Sequence, residues 1–97
     1  MPDLREELTD APYTPPADPL EKQVAEIIAS VLDIDKVGRE DSFYDLGGGS
    51  MQAIRICARA EQETGLTVDP LTLLENDRLV DFVAELRGAN STAATGN

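Results

Sequence analysis

This 97-residue chain contains no histidine and no tryptophan, and its one cysteine is Cys57. Histidine is the side chain whose ordinary pKa suits the base of a serine triad, so its absence excludes serine hydrolysis of the conventional kind. A single cysteine cannot form an internal disulfide, which favours a cytoplasmic location. Because the carboxylates are scattered and no histidine or cysteine cluster accompanies them, we predict no metal site.

Basic residues are scarce as well. Lysine and arginine total 8 against 19 acidic residues, which leaves a net charge of -11 at pH 7. Such a chain repels nucleic-acid phosphates and anionic membrane surfaces, so we expect neither as a partner, whereas a basic protein surface fits. No apolar run is long enough to cross a membrane. The length and the 41% hydrophobic content fit one small domain, which we expect to be a monomer.

The composition divides the chain into three parts. Residues 1–17 hold four of the 6 prolines among charged and polar neighbours, which predicts a disordered leader. Residues 18–88 carry helical patterns and form the predicted domain, and residues 89–97, rich in Ala, Ser, Thr, Asn and Gly, predict a disordered tail. A starting methionine with a leader and a tail around one domain favours a free-standing protein.

Helical spacing and capping residues predict an all-α bundle of three principal helices plus one short helix. The first helix should follow Asp18 as its cap and run to about Leu32, with Glu21 on its solvent face. The second should run from about 50 to 64 and end at a glycine. Asp69 should cap the short helix, and the last helix, capped at residue 76 or 77, should stop at Gly88.

The second helix has two separate apolar arcs when its residues are placed about 100° apart. The arc that we assign to the core consists of Ala53, Ile56, Cys57 and Ala60. Met51, Ile54 and Ala58 lie on the other arc, on the side nearest Ser50. This second arc has the character of a transient docking surface. The alternative is that its residues contact the preceding loop or another helix within the domain.

Residues 33–49 form an unusually long connection, and such loops are often functional or held in place by their own side chains. Four apolar residues should anchor this loop in the core and thereby determine where the following serine is presented. They are Ile34, Val37, Phe43 and Leu46.

The run from Asp41 to Ser50 reads DSFYDLGGGS. It resembles the phosphopantetheine attachment site of peptidyl carrier proteins, the thiolation domains of nonribosomal peptide synthesis in the acyl carrier protein-like superfamily. The resemblance covers roughly residues 18–88 and implies that Ser50 carries a covalent 4'-phosphopantetheine arm, with Gly48 and Gly49 shaping the site. Two positions depart from the family pattern: Gly49 replaces the usual histidine or aspartate, and Met51 replaces leucine. The simpler interpretation of Ser50 is a helix N-cap without modification.

The resemblance also implies partners. A phosphopantetheinyl transferase would donate the arm from coenzyme A, an adenylation enzyme would load an amino or aryl acid as a thioester, and downstream condensation or tailoring enzymes would act on that cargo. The carrier itself would catalyse nothing. Partner contacts would fall on Met51, Ile54, Arg55 and Ala58.

Three alternatives stay open at the level of sequence. A polyketide or fatty-acid acyl carrier is one, although the near-neutral second helix, with Arg55 and Arg59 against two glutamates, favours a peptidyl carrier. An unmodified acidic helical adaptor, binding a basic partner through Met51 and Ile54, is another. A reactive thiol at Cys57 is the third, and its position on the core arc argues against it.

Overall fold

The computed structural model describes residues 3–95, with side chains described up to residue 90. Its elements in chain order are a 3₁₀ turn at Arg5–Glu7 and the α-helices α1 (Pro19–Leu32), α2 (Ser50–Thr64), α3 (Pro70–Glu75) and α4 (Leu79–Thr95). Isolated bridges are the only extended pairings in this part of the chain. The prediction of an all-α bundle with three principal helices and one short helix is confirmed.

Helix α1 begins and ends for local reasons. The Asp18 carboxylate accepts a hydrogen bond from the Glu21 amide at 2.9 Å, and Pro19 occupies the first turn, where its missing N–H is not needed. The helix ends at Asp33, which adopts the left-handed conformation with φ 58°. Its apolar stripe packs against α2 and α4.

Helix α2 has the predicted bounds and the predicted buried face. Gly65 follows it in the left-handed conformation, with φ 75°, and its amide donates to the Glu61 carbonyl. The buried residues of α2 are those of the predicted core arc: Ala53, Ile56, Cys57 and Ala60. Helix α2 contacts both α1 and α3, and these contacts set its position in the bundle.

Helix α3 follows its predicted cap, since the Asp69 carboxylate accepts a hydrogen bond from the Leu71 amide at 2.9 Å. The predicted cap of α4 is wrong. Asn76 instead ends α3 and donates its side-chain amide to the Thr72 carbonyl, and the Asp77 carboxylate accepts a hydrogen bond from the Ser42 hydroxyl. A cap is predicted from near neighbours in sequence. Here the side chains of Asn76 and Asp77 bind α3 and the long loop instead of capping α4.

The predicted stop at Gly88 and the disordered tail are also wrong for residues 89–95, because α4 continues to Thr95. The Asn90 side chain explains part of this extension. Its oxygen accepts from the Thr67 amide at 2.8 Å, and its nitrogen donates to the carbonyls of Thr67 and Leu86. Residues 96 and 97 lie outside the described residues.

The core lies between the helices and beneath the long loop of residues 33–49. All four predicted loop anchors, Ile34, Val37, Phe43 and Leu46, are buried. The other buried apolar residues come from every helix and from the turn before α3: Val24, Ala25, Ile27, Ile28, Ala53, Ile56, Cys57, Ala60, Val68, Leu73, Leu79, Phe82, Val83 and Leu86. The loop therefore covers the core and contributes side chains to it.

The prediction of a disordered leader is wrong for residues 3–17. Asp3 pairs with the chain after α1, donating its amide to the Asp33 carbonyl and accepting from the Asp35 amide, both at 2.9 Å. Arg5 is buried, and its guanidinium binds the carboxylate of Asp41. A composition rule counts local hydrophobicity and charge, so it misses an ion pair formed with a residue 36 positions away. Residues 1 and 2 lie outside the described part.

Glu21 is a second correction, because the helical pattern predicts that it faces solvent and the residue is 4% exposed. Its two carboxylate oxygens each accept a hydrogen bond from the Arg39 guanidinium at 2.9 Å. It also accepts from the Ala17 amide. These bonds, the one from Arg39 first, lower the pKa of the Glu21 carboxyl. The pair ties the start of α1 to the loop that leads to Ser50.

We predict that Glu21→Gln lowers the midpoint of thermal unfolding by roughly 5 °C at pH 7, because a charge-assisted, bidentate pair is lost. Since the pair lowers the pKa of Glu21 below its ordinary value of 4.5, its stabilising effect is complete above that pH and is lost as the pH falls through the lowered pKa. The difference between wild type and variant should therefore shrink on acidification. Thermal unfolding followed by circular dichroism at several pH values measures it.

The matched control is Glu85→Gln, which removes an exposed carboxylate from α4. It should leave the midpoint at pH 7 within a degree or so of wild type. A Glu21→Gln deficit of constant size from pH 7 to pH 3 would show that the ion pair is not its source.

Candidate functional site

Ser50 is the first residue of α2 and its side chain is exposed. The residue before it, Gly49, occupies the N-cap position in extended conformation, with φ −146° and ψ −171°. The interpretation of Ser50 as the helix cap is therefore wrong by one position. Within the described part of the chain its hydroxyl makes no hydrogen bond, so the oxygen is available to an external reactant.

The backbone around Ser50 suits a negatively charged group. No side chain caps α2, and its first intrahelical bond joins the Ala53 amide to the Gly49 carbonyl at 2.9 Å. The Gln52 side chain instead accepts from the amide of the cap residue itself, Gly49, at 3.1 Å. The first amides of the helix therefore retain their partial positive charge beside the Ser50 hydroxyl. A phosphate attached there would be stabilised by them.

The glycine turn before Ser50 is required by geometry at two positions. Gly47 has φ 92°, a conformation that side chains with a Cβ rarely adopt. At Gly48 the constraint is space, because a Cβ would lie 2.2 Å from Cε1 of Phe43. The Phe43 ring is buried, so it cannot move aside without opening the core. Phe43 and Gly48 thus lock the turn two residues before the serine.

The loop upstream of this turn is anchored to the start of α4. The Phe43 amide donates to the Asp77 carbonyl at 2.7 Å, and the Leu79 amide donates to the Asp41 carbonyl at 3.4 Å. Within the loop, the Asp41 carboxylate accepts from the Gly38 amide at 2.7 Å. The loop therefore cannot shift without breaking bonds to a neighbouring helix.

The second apolar arc of α2 faces solvent. Met51 is 69% exposed and Ile54 is 55% exposed, and Ala58 is exposed as well. Their exposure contradicts the alternative that they pack within the domain. Other large apolar residues are exposed as well and were not predicted, among them Tyr44, whose hydroxyl donates to the Leu74 carbonyl, and Leu71 on α3. Sequence could not identify them, because the loop and a six-residue helix have too little periodicity to assign a face.

The charges of α2 divide into paired and unpaired groups. Arg59 donates to the Glu63 carboxylate at 3.0 Å and to the Ser30 hydroxyl at 2.9 Å. Arg55 is exposed and forms no ion pair with any described residue. One uncompensated positive charge thus lies on the same helix as the exposed apolar arc, in a chain whose net charge is strongly negative.

Cys57 belongs to the core and not to the site. It is 2% exposed, and burial, with smaller contributions from Asp69 and Glu61, raises the pKa of its thiol to about 12. The thiol therefore stays protonated near neutrality, and the protonated form is a poor nucleophile. The structure contradicts the interpretation of Cys57 as a reactive group.

The model of the family described as "Phosphopantetheine attachment site" matches residues 22–86. The chain belongs to this family. The match confirms the resemblance to peptidyl carrier domains and the cofactor that it implied, 4'-phosphopantetheine. It contains the whole of the long loop, the glycine turn and α2. No helix among residues 3–95 of this carrier domain is both long and apolar enough to cross a lipid bilayer.

Individual relatives agree with the family. The carrier domain is 39% identical over 81 residues to gramicidin S synthase 2 of Brevibacillus brevis, a match that covers 84% of the chain and 2% of that protein. Among solved structures it is similar to BlmI, a type-II acyl carrier protein from Streptomyces verticillus involved in bleomycin biosynthesis, with 31% identity, a TM-score of 0.68, and coverage of 72% of this chain and 84% of BlmI.

A nonribosomal peptidyl carrier domain is similar to the same degree, with 30% identity and a TM-score of 0.67 over 73% of this chain and 91% of that one. The chain spans between 1% and 3% of the length of the first curated relatives that it matches. What it shares with those large synthases is one carrier domain.

We predict that Gly48→Ala lowers the free energy of unfolding by about 1–3 kcal/mol, because the new methyl group must displace the buried Phe43 ring. Equilibrium unfolding in urea measures this loss. Gly49→Ala is the matched control: its Cβ would meet only the flexible end of Gln52 at 3.3 Å, in an extended conformation open to any residue. Its effect should be smaller, about 0.5–1 kcal/mol, because alanine is a poorer N-cap residue than glycine. Equal losses for the two variants would disprove the close-approach explanation.

Proposed function

We propose that the Ser50 hydroxyl is the attachment point of 4'-phosphopantetheine and that the chain carries a thioester-bound amino or aryl acid between biosynthetic enzymes. One observation supports this above all others. In a member of the phosphopantetheine attachment site family, the serine at the end of the glycine turn is exposed and begins a helix, and its hydroxyl makes no hydrogen bond to any residue that the structure describes. These are the requirements of a side chain that another enzyme must reach.

The chain's contribution to the attachment is presentation and not catalysis. The Ser50 oxygen attacks the phosphorus that bears the pantetheine arm of coenzyme A, the pyrophosphate bond breaks, and adenosine 3',5'-bisphosphate leaves. The helix start stabilises the phosphodiester that results. The chain has no histidine to remove the hydroxyl proton, so a phosphopantetheinyl transferase, using coenzyme A, must supply the base. Gly48 and Gly49 serve the site by bringing the backbone round to Ser50, with Gly48 allowing the Phe43 ring to approach.

We propose Met51, Ile54 and Ala58 as the docking face for these partners, with Arg55 beside them. Full burial of an exposed side chain of this size stabilises a complex by about 1.5–3 kcal/mol. A face with two such residues would thus support a complex that forms readily and still dissociates. Arg55 would add charge selectivity, since it can pair with a carboxylate on the partner. The proposed partners are the transferase, an adenylation enzyme and downstream condensation or tailoring enzymes.

The similarity to synthases of peptide products favours a peptidyl cargo over a polyketide or fatty-acid one. A monomeric state, a cytoplasmic location and a free-standing arrangement stay predictions. The adaptor alternative, in which the same apolar face binds a partner without modification, makes a different prediction about Ser50.

We predict that incubation with coenzyme A and a promiscuous phosphopantetheinyl transferase adds one phosphopantetheine to the wild-type chain. Ser50→Ala should abolish the addition, because the acceptor oxygen is gone. Intact mass spectrometry measures both. Ser30→Ala, which removes an exposed hydroxyl from α1, is the matched control and should be modified like wild type. An unchanged mass for the wild type would favour the adaptor, and modification of Ser50→Ala would place the arm elsewhere.

We predict that Ile54→Glu raises the KM for modification about 10- to 100-fold, because an apolar contact of the docking face is replaced by a charge. The midpoint of thermal unfolding should change little, since Ile54 is largely solvent-exposed. Initial rates at several carrier concentrations give the KM. Ala84→Glu is the control, because it adds the same charge at an exposed position of α4. The same KM for both variants would remove Ile54 from the docking face.

A further inference from the structure

We propose that Arg5 is a positioning residue for the reaction at Ser50. It lies in the N-terminal segment, outside the residues that the family model matches, yet it binds the loop from which Ser50 is presented. The proposal rests on the proposed function, since it concerns the same hydroxyl. It adds that the segment before α1 helps to position Ser50.

Arg5 interacts with several other residues. Its guanidinium donates from Nε and Nη2 to the two carboxylate oxygens of Asp41, the latter at 2.6 Å, and from Nη2 to the carbonyls of Ala11 and Pro12 at 2.9 and 3.3 Å. Its backbone amide donates to the Asp35 carboxylate at 2.7 Å. The Tyr13 ring lies 5.2 Å from the guanidinium carbon. The Arg5 side chain thus binds both the N-terminal segment and the loop.

The pair with Asp41 is buried, with Arg5 and Asp41 each 3% exposed. Removing one member of such a pair leaves the other as an unpaired charge away from water. An Asp41 carboxylate without its arginine would move towards solvent. The same carboxylate accepts from the Gly38 amide, so its movement would release the turn that begins the loop.

A short series of contacts leads from Asp41 to Ser50. Two residues after Asp41, Phe43 is fixed by the bond from its amide to the Asp77 carbonyl and by burial of its ring. That ring leaves no room for a side chain at Gly48. Gly48 lies two residues before Ser50. Each step is either a link of two residues along the chain or the contact between Phe43 and Gly48. Displacement of Asp41 therefore changes the place at which the Ser50 oxygen meets the transferase.

Positioning and docking use different surfaces and so predict different kinetics. Met51 and Ile54 are on α2, whose packing against α1 and α3 does not involve Arg5. A variant of Arg5 therefore keeps its docking face and its KM, whereas a misplaced oxygen lowers kcat. A variant that is merely unfolded in part behaves in the opposite way: it keeps kcat and raises the apparent KM, because only the folded fraction docks.

The test compares wild type, Arg5→Gln and Arg5→Lys as substrates of a phosphopantetheinyl transferase with coenzyme A. We expect Arg5→Gln to lower kcat about tenfold with KM unchanged. Arg5→Lys keeps the charge without the bidentate fork, so its kcat should fall in between. The matched control is Arg87→Gln, which removes an exposed arginine paired with Asp18. It should keep both constants.

Two further measurements show whether Arg5 acts through Asp41. Asp41→Asn should lower kcat as Arg5→Gln does, and the double variant should lose no more than either single variant, because one interaction is removed in all three. In NMR spectra, the amide signals of Gly48 and Ser50 should shift in Arg5→Lys and stay in place in Arg87→Gln. If Arg5→Gln does not fold, the Arg5→Lys kinetics and spectra decide the question.

A kcat for the Arg5 variants equal to that of Arg87→Gln, or a change confined to KM, would overturn the positioning role. The proposed function would survive that result, provided that the wild type gains its phosphopantetheine. If the wild type gains nothing, the proposed function fails and the role of Arg5 fails with it. The wild-type mass and the variant kinetics thus separate the two failures.

Discussion

The contact between the Phe43 ring and the backbone of Gly48 is the constraint on which the site depends. A side chain at position 48 would overlap the ring, and the ring cannot retreat because it closes the core under the loop. The turn therefore has one available path, and it ends at the first residue of α2. A small helical bundle can in this way present a hydroxyl at a defined place.

Helix α2 has apolar residues on two sides, one buried and one exposed. Ala53 and Ile56 are fully buried and hold the helix against its neighbours, whereas Met51 and Ile54 lie in solvent one or two positions away. Apolar residues on both faces would be a liability in a chain that only had to fold. Under the proposed function they separate two tasks, because the buried arc keeps the serine in place while the exposed arc would stay available to partner enzymes.

Two ion pairs contribute more to the shape of the site than the net charge of the chain does. Arg39 and Arg5 bind the buried carboxylates of Glu21 and Asp41, and each pair fastens the long loop to a segment that precedes it in the chain. Neither pair could be predicted from sequence. Charged residues at such positions ordinarily face water, and nothing local distinguishes an arginine that finds its partner 36 residues away from one that does not.

The sequence alone determined the number of α-helices, the caps of α1 and α3 at Asp18 and Asp69, and the end and buried arc of α2. These features were predictable because caps, glycine stops and helical spacing depend on near neighbours. Only the tertiary structure decided that residues 3–17 belong to the domain, that Glu21 is buried, and that α4 continues past residue 88. Those outcomes depend on contacts between distant residues, which no local pattern encodes.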